Sequence, residues 1–509
     1  MHCPRSLTTT PDPELFLRPA GSPPKPFEHR VTMPAGPTSV DPAVSDRTRR
    51  LLDGPIVPTL LRLAAPNVVV MTVQAAVSAG EAYFLGWLGA DALAGVSLTF
   101  PLIMLMQTMS AGGMGGGVSA AVARALGAGR RRDADALGVH ALLIAIVMGA
   151  GFTSALVLGG PALYRAMGGT GGALAAALTY SNIVFGGAIA VWLFNTLASI
   201  VRGTGNMLLP AVVVVGGAVL TLSLSPALIF GWGPLPSYGI AGAAVALVTY
   251  YAVGSVVLLV YLLAGRSLVS LARAEMRLQG RLFGEILWVG APSLLNNIQA
   301  NLTVVLLTGL VGPFGTAALA GYGMGARLEY LQIPLVFGFG SALVTMVGTN
   351  VGAGRGDRAE RIAWTGAGMA AALTGIIGLG AALFPDVWLG LFSTDPEVRQ
   401  AGALYLRVVG PAYGFFGLGL ALYFSAQGAG RLLWPVLAGF SRLAIASVGG
   451  WLAIHWLGGG LIALFAVMAL AFVAFGCILT VGVRSGAFRR GRVQSLASEP
   501  KPLPRSEGA

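Results

Sequence analysis

Residues 65–89 read APNVVVMTVQAAVSAGEAYFLGWLG, an apolar run long enough to cross a bilayer that carries one carboxylate, Glu81. A carboxylate inside a membrane span is costly, and it is a functional-site hypothesis by default. Asn67, Gln74, Ser78 and Glu81 follow one another at intervals of seven, four and three residues, which places them on one stripe of a helix. Such a stripe indicates a polar cavity or a protein partner rather than lipid.

The composition extends this interpretation to the whole chain. Of its 509 residues, 55% are hydrophobic and only 10% are charged, and the mean hydropathy is +0.77. Soluble domains carry about 25% charged residues, so we predict an all-α polytopic membrane protein. The net charge of +12 is interpreted as membrane topology, and no nucleic-acid partner is expected. The two cysteines, Cys3 and Cys477, indicate neither a disulfide framework nor a metal site.

Apolar runs of about 20 residues are typical of transmembrane helices, and the chain contains twelve of them. Residues 1–54 and 485–509 lack apolar periodicity and are predicted to be disordered tails, with translation starting at Met1 or at Met33. A cytoplasmic linker is predicted over 265–282, between an N-terminal lobe at 55–264 and a C-terminal lobe at 283–484. The predicted spans are 57–84, 95–118, 136–159, 175–199, 209–230, 239–264, 283–311, 318–347, 359–384, 402–425, 433–456 and 460–483.

The arginines orient these spans, because basic residues collect on the cytoplasmic side of a membrane protein. With the N-terminus in the cytoplasm, the predicted outer loops hold only Arg165 and Arg399. The other loop arginines fall on the inner side, and Arg442 is assigned to the inner end of the eleventh span. Both termini are therefore predicted to be cytoplasmic, in a multi-pass protein of the inner (plasma) membrane.

Four short sequences recur at an offset of 225 or 226 residues, which indicates an internal duplication. They are LAAP at 63–66 with VGAP at 289–292, ALAG at 92–95 and 318–321, GAGR at 127–130 and 352–355, and RGTGNMLLP at 202–210 with QGAGRLLWP at 427–435. The chain is thus predicted to fold as two homologous six-helix bundles. An even number of spans in each half makes the halves parallel, which is one repeat arrangement of secondary transporters.

These sequences, together with GARLEYLQIPLVFGFGSALVTMVGTNVGAG in the second half, resemble the multidrug and toxic compound extrusion (MATE) family, in particular its DinF-like bacterial branch. The resemblance covers roughly residues 50–485. It implies a V-shaped transporter of two bundles that exports organic, often cationic, drugs or metabolites in antiport with protons or sodium ions. We expect no enzymatic activity, no cofactor besides the coupling ion, and a monomer whose partners are its small organic substrate and membrane lipid.

The resemblance also assigns a role to Glu81. Many members of the family have an Asp in the first span, fifteen residues after the proline, and Glu81 stands at that position, which implies that it binds the coupling proton or sodium ion. The branch often has a second acid before the proline of the fifth span, where this chain has Ser225 before Pro226. Another branch has a Glu in the seventh span where this chain has Ala300, and Leu307 stands at the repeat position of Glu81. The coupling charge is therefore expected in the first half alone.

Neutral polar side chains of other spans are expected to complete a cavity around Glu81, and helix packing is the alternative role for each of them. Charged residues of the second half are interpreted differently. Because buried charges in lipid pair with one another, Glu329 of the eighth span is predicted to form a structural ion pair with Arg407 of the tenth. The candidate cavity residues are Gln74, Ser78, Tyr180, Asn182, Asn195, Thr221, Ser225, Asn297 and Asn301.

Two further functions stay open as alternatives. A flippase for lipid-linked precursors, from the same superfamily, would need a basic cavity for pyrophosphate, and the predicted spans hold few arginines. A membrane-embedded enzyme such as a prenyltransferase would need clustered aspartates for Mg²⁺, and the sequence has no such cluster. Export is therefore the preferred prediction.

Overall fold

A computed structural model describes residues 46–232, 236–275, 277–456 and 458–486. Most of both predicted tails, including Met33, lies outside these residues. The N-terminal tail was predicted to extend to residue 54, but Asp46–Asp53 is a helix. The reason is its amphipathic pattern, since Leu51 and Leu52 are buried against the membrane helices.

Within the described residues, eleven helical stretches are long and apolar enough to cross a membrane, and one bent pair of helices gives a twelfth. The all-helical fold with twelve spans agrees with the prediction. The helices of the pair, span four, are bent by 48° relative to each other at Gly187. Spans one to twelve are Ile56–Gly86, Ala90–Gly127, Arg131–Ala166, Gly171–Gly186 with Ala188–Gly203, Leu208–Phe230, Ile240–Leu263, Gly280–Phe314, Thr316–Gly352, Gly356–Leu383, Pro396–Ala429, Leu433–His455 and Leu461–Arg484.

Buried apolar side chains form two clusters, which define an N-terminal lobe built mainly from spans two to six and a C-terminal lobe built mainly from spans eight to twelve. The beginnings of spans one and seven are exchanged between them. Leu51 and Leu60 belong to the cluster of the C-terminal lobe. Leu282 and Ile286 belong to the cluster of the N-terminal lobe. Each lobe therefore holds the entry segment of the other half.

The lobes meet where spans two and eight end. A Cβ atom at Gly127 would lie 2.0 Å from the carbonyl oxygen of Thr349, and a Cβ atom at Gly352 would lie 2.1 Å from that of Arg124. The two contacts are related by the repeat offset of 225 residues, so the crossing is pseudo-symmetric. Only a residue without a side chain allows two helix backbones to approach so closely.

Beside this crossing, polar contacts hold the entry segment of the first half on the C-terminal lobe. Arg355, which follows span eight, donates hydrogen bonds to the carbonyl of Leu52 at 3.0 Å and to the Asp53 carboxylate at 2.6 Å. Asn350 donates to the carbonyl of Leu51 at 3.1 Å. The helix Asp46–Asp53 is therefore fastened to the lobe formed by the other half of the chain.

The N-terminal lobe has ion pairs at the corresponding place, where the entry segment of the second half lies. Arg130, which follows span two, lies 2.6 Å from Asp133 and 3.5 Å from Glu285. Arg281, at the start of span seven, lies 3.1 Å and 2.9 Å from the same two carboxylates. These side chains are partly exposed, so each pair contributes at most about 1 kcal/mol, and the crossing glycines remain the tighter constraint.

Replacing either crossing glycine by alanine is expected to destabilise the protein by about 1–3 kcal/mol, because the new methyl group overlaps a backbone carbonyl that cannot move aside. The measurement is the Tm of purified Gly127→Ala and Gly352→Ala in detergent. Gly151→Ala and Gly368→Ala are the matched controls, since their Cβ atoms would have no neighbour within 4 Å. Control variants that lose as much stability as the crossing variants would contradict this assignment.

Candidate functional site

A cavity of about 350 Å³ lies inside the N-terminal lobe, between spans one, two, four, five and six. Its volume falls in the range of small-molecule sites. The structure places Gln74, Ser78 and Glu81 together on its wall. Asn67, at the other end of the same stripe, donates a 2.6 Å hydrogen bond to Ser341 of span eight, so that end of the stripe joins the two lobes.

Glu81 has no polar partner in this wall. Its Oε1 atom is buried and accepts no hydrogen bond from the described residues. A buried polar group without a partner costs about 1–3 kcal/mol, and a charged group costs more. Among the described residues that line the cavity, none is basic. A proton or a small cation is therefore the simplest partner for this carboxylate.

A sodium ion at Glu81 would have to rely on neutral oxygen ligands for the rest of its shell. The described residues contain no group of three or more His, Cys, Asp or Glu side chains that could hold a metal ion. Gln74, Ser78 and Tyr180 also line the cavity and carry neutral oxygens. The arrangement fits a proton, and it fits a sodium ion whose ligands are one carboxylate and several neutral oxygens.

Aromatic rings also line the cavity. Tyr180 lines the cavity together with Tyr250 and Tyr251 of span six, whose ring centroids are 4.5 Å apart. Phe194 packs against both, with centroids at 5.4 Å and 5.5 Å. Tyr250 also rests on Gly217, where a Cβ atom would meet its ring at 2.1 Å. The two tyrosines of span six were not predicted, although adjacent tyrosines in an apolar span could have indicated them.

The other predicted residues of spans four and five lie in different places. Thr221 lines the cavity, and its hydroxyl donates to the carbonyl of Gly217 at 2.9 Å. Ser225 is fully buried, one turn further along, outside the cavity wall. Asn182 is exposed. Asn195 is buried and donates to the hydroxyl of Ser110 at 2.8 Å, so it packs spans four and two together.

The amides of span seven do not line the cavity either. Asn297 donates to the carbonyl of Thr108 in span two at 2.9 Å, which is a contact between the lobes. Asn301 donates back to the carbonyl of Asn297 at 2.9 Å. The predicted place of both in the cavity is corrected accordingly, because span seven reaches across the lobe boundary where its amides meet the other bundle.

The predicted pairing of Glu329 with Arg407 is also wrong. Arg407 is exposed, because it lies two residues after the buried Tyr405 and thus on another face of span ten. Glu329 instead lines a small cavity with Arg442 of span eleven, and its carboxylate accepts a 3.5 Å hydrogen bond from the hydroxyl of Tyr405. Arg442, which was assigned to the inner end of its span, thus lies inside the C-terminal lobe.

Comparison with known sequences now identifies the family. The profile of the MatE family matches residues 66–227 and, a second time, residues 292–452, and the two matches begin 226 residues apart. The chain belongs to the MatE family. Members of this family are membrane transporters with many spans, and not enzymes, which agrees with the predictions from the sequence.

Two relatives illustrate the range of this MatE transporter's family. The FAD transporter of Shewanella oneidensis is 27% identical over 368 residues, which cover 72% of this chain and 81% of that protein. The probable multidrug resistance protein NorM of Thermotoga maritima is 25% identical over 395 residues, which cover 76% of this chain and 84% of that protein. The first of these names states transport of FAD, and the second states resistance to several drugs.

Solved structures show the same fold. The crystal structure of MATE in the bent conformation superimposes with a TM-score of 0.80 at 23% identity, over 88% of this chain and 98% of that one. A MOP superfamily transporter from Pyrococcus furiosus gives a TM-score of 0.79 at 22% identity, over 87% of this chain and 98% of that one. The MatE transporter therefore has the V-shaped arrangement of two six-helix bundles that the sequence predicted.

Gly217→Ala is expected to change the shape of the cavity, because the new methyl group overlaps the Tyr250 ring that lines it, and any binding of flat aromatic probes there should weaken several-fold. The measurement is fluorescence anisotropy of ethidium and of FAD, one cationic and one anionic, with the purified protein. The neighbouring Gly216→Ala is the control, since its Cβ atom would have no neighbour within 4 Å. Equal losses in both variants would rule out a role for the Tyr250 wall.

Proposed function

We propose that this secondary transporter exports planar organic compounds in antiport with protons or sodium ions, and that Glu81 binds the coupling ion. The observation that carries the proposal is the unpartnered Oε1 atom of Glu81 in a cavity that three tyrosines also line. The acid offers a site for the ion, and the tyrosines offer flat apolar faces for the compound. Both ligands would use the same cavity.

Coupling follows if the ion binds the two conformations of the transporter with different affinity. A charged Glu81 favours a conformation that gives its carboxylate access to water, because the described wall supplies no compensating charge. Proton or sodium binding removes that preference and shifts the population toward the other conformation. An ion that binds both conformations equally would drive no export.

The cavity favours a cationic or neutral aromatic substrate. Tyr180, Tyr250 and Tyr251 can stack on a planar ring, and a carboxylate attracts a positive charge. The relative in Shewanella oneidensis makes flavin nucleotides a second candidate class. A flavin nucleotide or a lipid pyrophosphate would meet no basic residue among the described wall residues, so both rank below organic cations.

The distribution of arginines supports a cytoplasmic position for the end of the molecule where spans two and eight cross. Arg130, Arg132, Arg355 and Arg358 lie at the helix ends beside the crossing of spans two and eight, and basic residues collect on the cytoplasmic side. We therefore place both termini in the cytoplasm, in the inner membrane. In this structure the two lobes are then in contact at their cytoplasmic end.

Glu81→Gln is expected to lose gradient-driven export by at least about tenfold, because a neutral amide cannot alternate between a charged and an uncharged state. The measurement is ethidium transport in liposomes with separately imposed proton and sodium gradients, which also distinguishes the two ions. Binding of ethidium should weaken but persist, since the variant loses the attraction of the carboxylate for the cation and keeps the tyrosine rings on which the compound can stack.

Glu81→Asp is the matched control, because it keeps the carboxylate and shortens it by one methylene. Partial retention of gradient-driven transport is expected for this variant. Wild-type transport by Glu81→Gln under either gradient would overturn the assignment of Glu81 as the coupling residue.

The proposed orientation predicts the labelling of two exposed positions. In a background with Cys3 and Cys477 replaced by serine, Thr394→Cys should react with a membrane-impermeant maleimide in intact cells. Arg132→Cys should react only after the cells are opened. The reverse pattern would place the crossing of spans two and eight outside the cell.

A further inference from the structure

The C-terminal lobe contains a second cavity, of about 20 Å³, which holds its own carboxylate. Its lining is related to that of the N-terminal cavity by the repeat. Nine of its twelve lining residues stand 225 or 226 positions after a residue that lines the larger cavity, for example Val304 after Ser78, Tyr330 after Met104 and Phe472 after Leu247. The two cavities are therefore equivalent places in the two halves.

The two cavities have their carboxylates on helices that are not equivalent in the repeat. Glu81 of span one corresponds to Leu307 of span seven, which lines the smaller cavity. Glu329 of span eight corresponds to Ile103 of span two, which lines the larger cavity. Alignment of the repeats residue by residue therefore conceals the fact that both cavities contain a carboxylate.

Arg442 is the charged partner that the first cavity lacks. Its guanidinium lies over the rings of Phe416, Phe472 and Phe475, at 5.5 Å, 5.5 Å and 5.7 Å from their centroids. The repeat places Arg442 at the position of Gly217, the residue on which Tyr250 rests. Three aromatic faces therefore stabilise this cation by contacts that do not require a carboxylate.

Glu329 and Arg442 line the same cavity, but in the described structure no nitrogen of Arg442 lies within 4.0 Å of a carboxylate oxygen of Glu329. The cavity between them has the volume of about one water molecule. The other titratable groups around Glu329 are Tyr322, Tyr330, Tyr405 and Tyr413. A proton can therefore reach Glu329 without breaking a direct ion pair, while a metal cation would be repelled by Arg442.

We propose that Glu329 is a second proton-binding site of the transport cycle, with Arg442 as its resident counter-ion. A proton taken up from water neutralises the carboxylate, and the aromatic rings continue to hold the guanidinium. The same proton leaves when the cycle returns the carboxylate to its charged state. This inference rests on the proposed ion-coupled export, and it adds a site that accepts protons only.

The experiment compares Glu329→Gln, Arg442→Met and the double variant in liposomes with an imposed proton gradient and ethidium as the transported probe. If the pair were purely structural, each single variant would lose stability and the double variant would recover both Tm and transport, because no uncompensated charge remains. The proposal expects recovery of Tm alone, with gradient-driven transport reduced at least about tenfold and ethidium binding kept. Recovery of transport would overturn it.

The number of protons gives an independent readout that does not depend on the folding of these variants. Addition of ethidium to weakly buffered Glu81→Gln protein should still change the number of bound protons, measured with a pH-sensitive dye. No proton exchange in that variant would overturn the second site. Arg327→Gln is the control, because this arginine of span eight is exposed and lies over Phe392 at 5.4 Å, away from the cavity.

The two proposals fail in different ways. If transport by Glu81→Gln responds normally to the gradient and transport by the double variant does not, only the C-terminal site couples transport to protons. If transport by Glu81→Gln no longer responds to the gradient and transport by the double variant responds normally, only the N-terminal site couples transport to protons. Transport that responds to no gradient would overturn both.

Discussion

The crossing of spans two and eight is the contact on which the rest of the arrangement depends. At Gly127 and Gly352 each helix backbone touches a carbonyl of the other, and no side chain could be added on either side without displacing a helix. In lipid the hydrophobic effect does not drive helices together, so close backbone packing and polar contacts must do so. The two helices thus touch at positions that carry no side chain, Gly127 and Gly352.

This close crossing explains why the entry segments are exchanged. With the two helix ends in contact, the chain that leads into each half lies nearest to the opposite bundle, where Arg355 and Arg281 fasten it. The lobes are therefore joined by backbone contact at the crossing and by charge pairs beside it. The pairs are partly exposed and individually weak, so they can break when the lobes rearrange while the helices remain intact.

Hydropathy and the repeat were sufficient to predict the twelve spans, because the cost of placing polar backbone and side chains in lipid acts on each stretch of sequence by itself. They did not predict which charges lie together. Glu329 was paired with Arg407 by their positions along the chain, whereas the structure brings Arg442 from another helix. The rotation of each span about its axis decides such pairs, and that rotation is set by packing between helices that are distant in sequence. Tyr250 and Tyr251 were missed for the same reason.

Span one connects the acid to the lobe boundary. Glu81 lies in the wall of the N-terminal cavity, and Asn67, four turns earlier, is bonded to Ser341 of the other lobe. Pro66 lies between this contact and the exchanged entry segment, and a proline inside a helix removes a backbone hydrogen bond and permits bending there. Span seven has the related Pro292 and reaches the other lobe through Asn297, yet its cavity acid belongs to span eight. A change of charge in the N-terminal cavity therefore acts directly on a helix that touches both lobes, whereas a change in the C-terminal cavity acts on span eight, which forms the crossing itself.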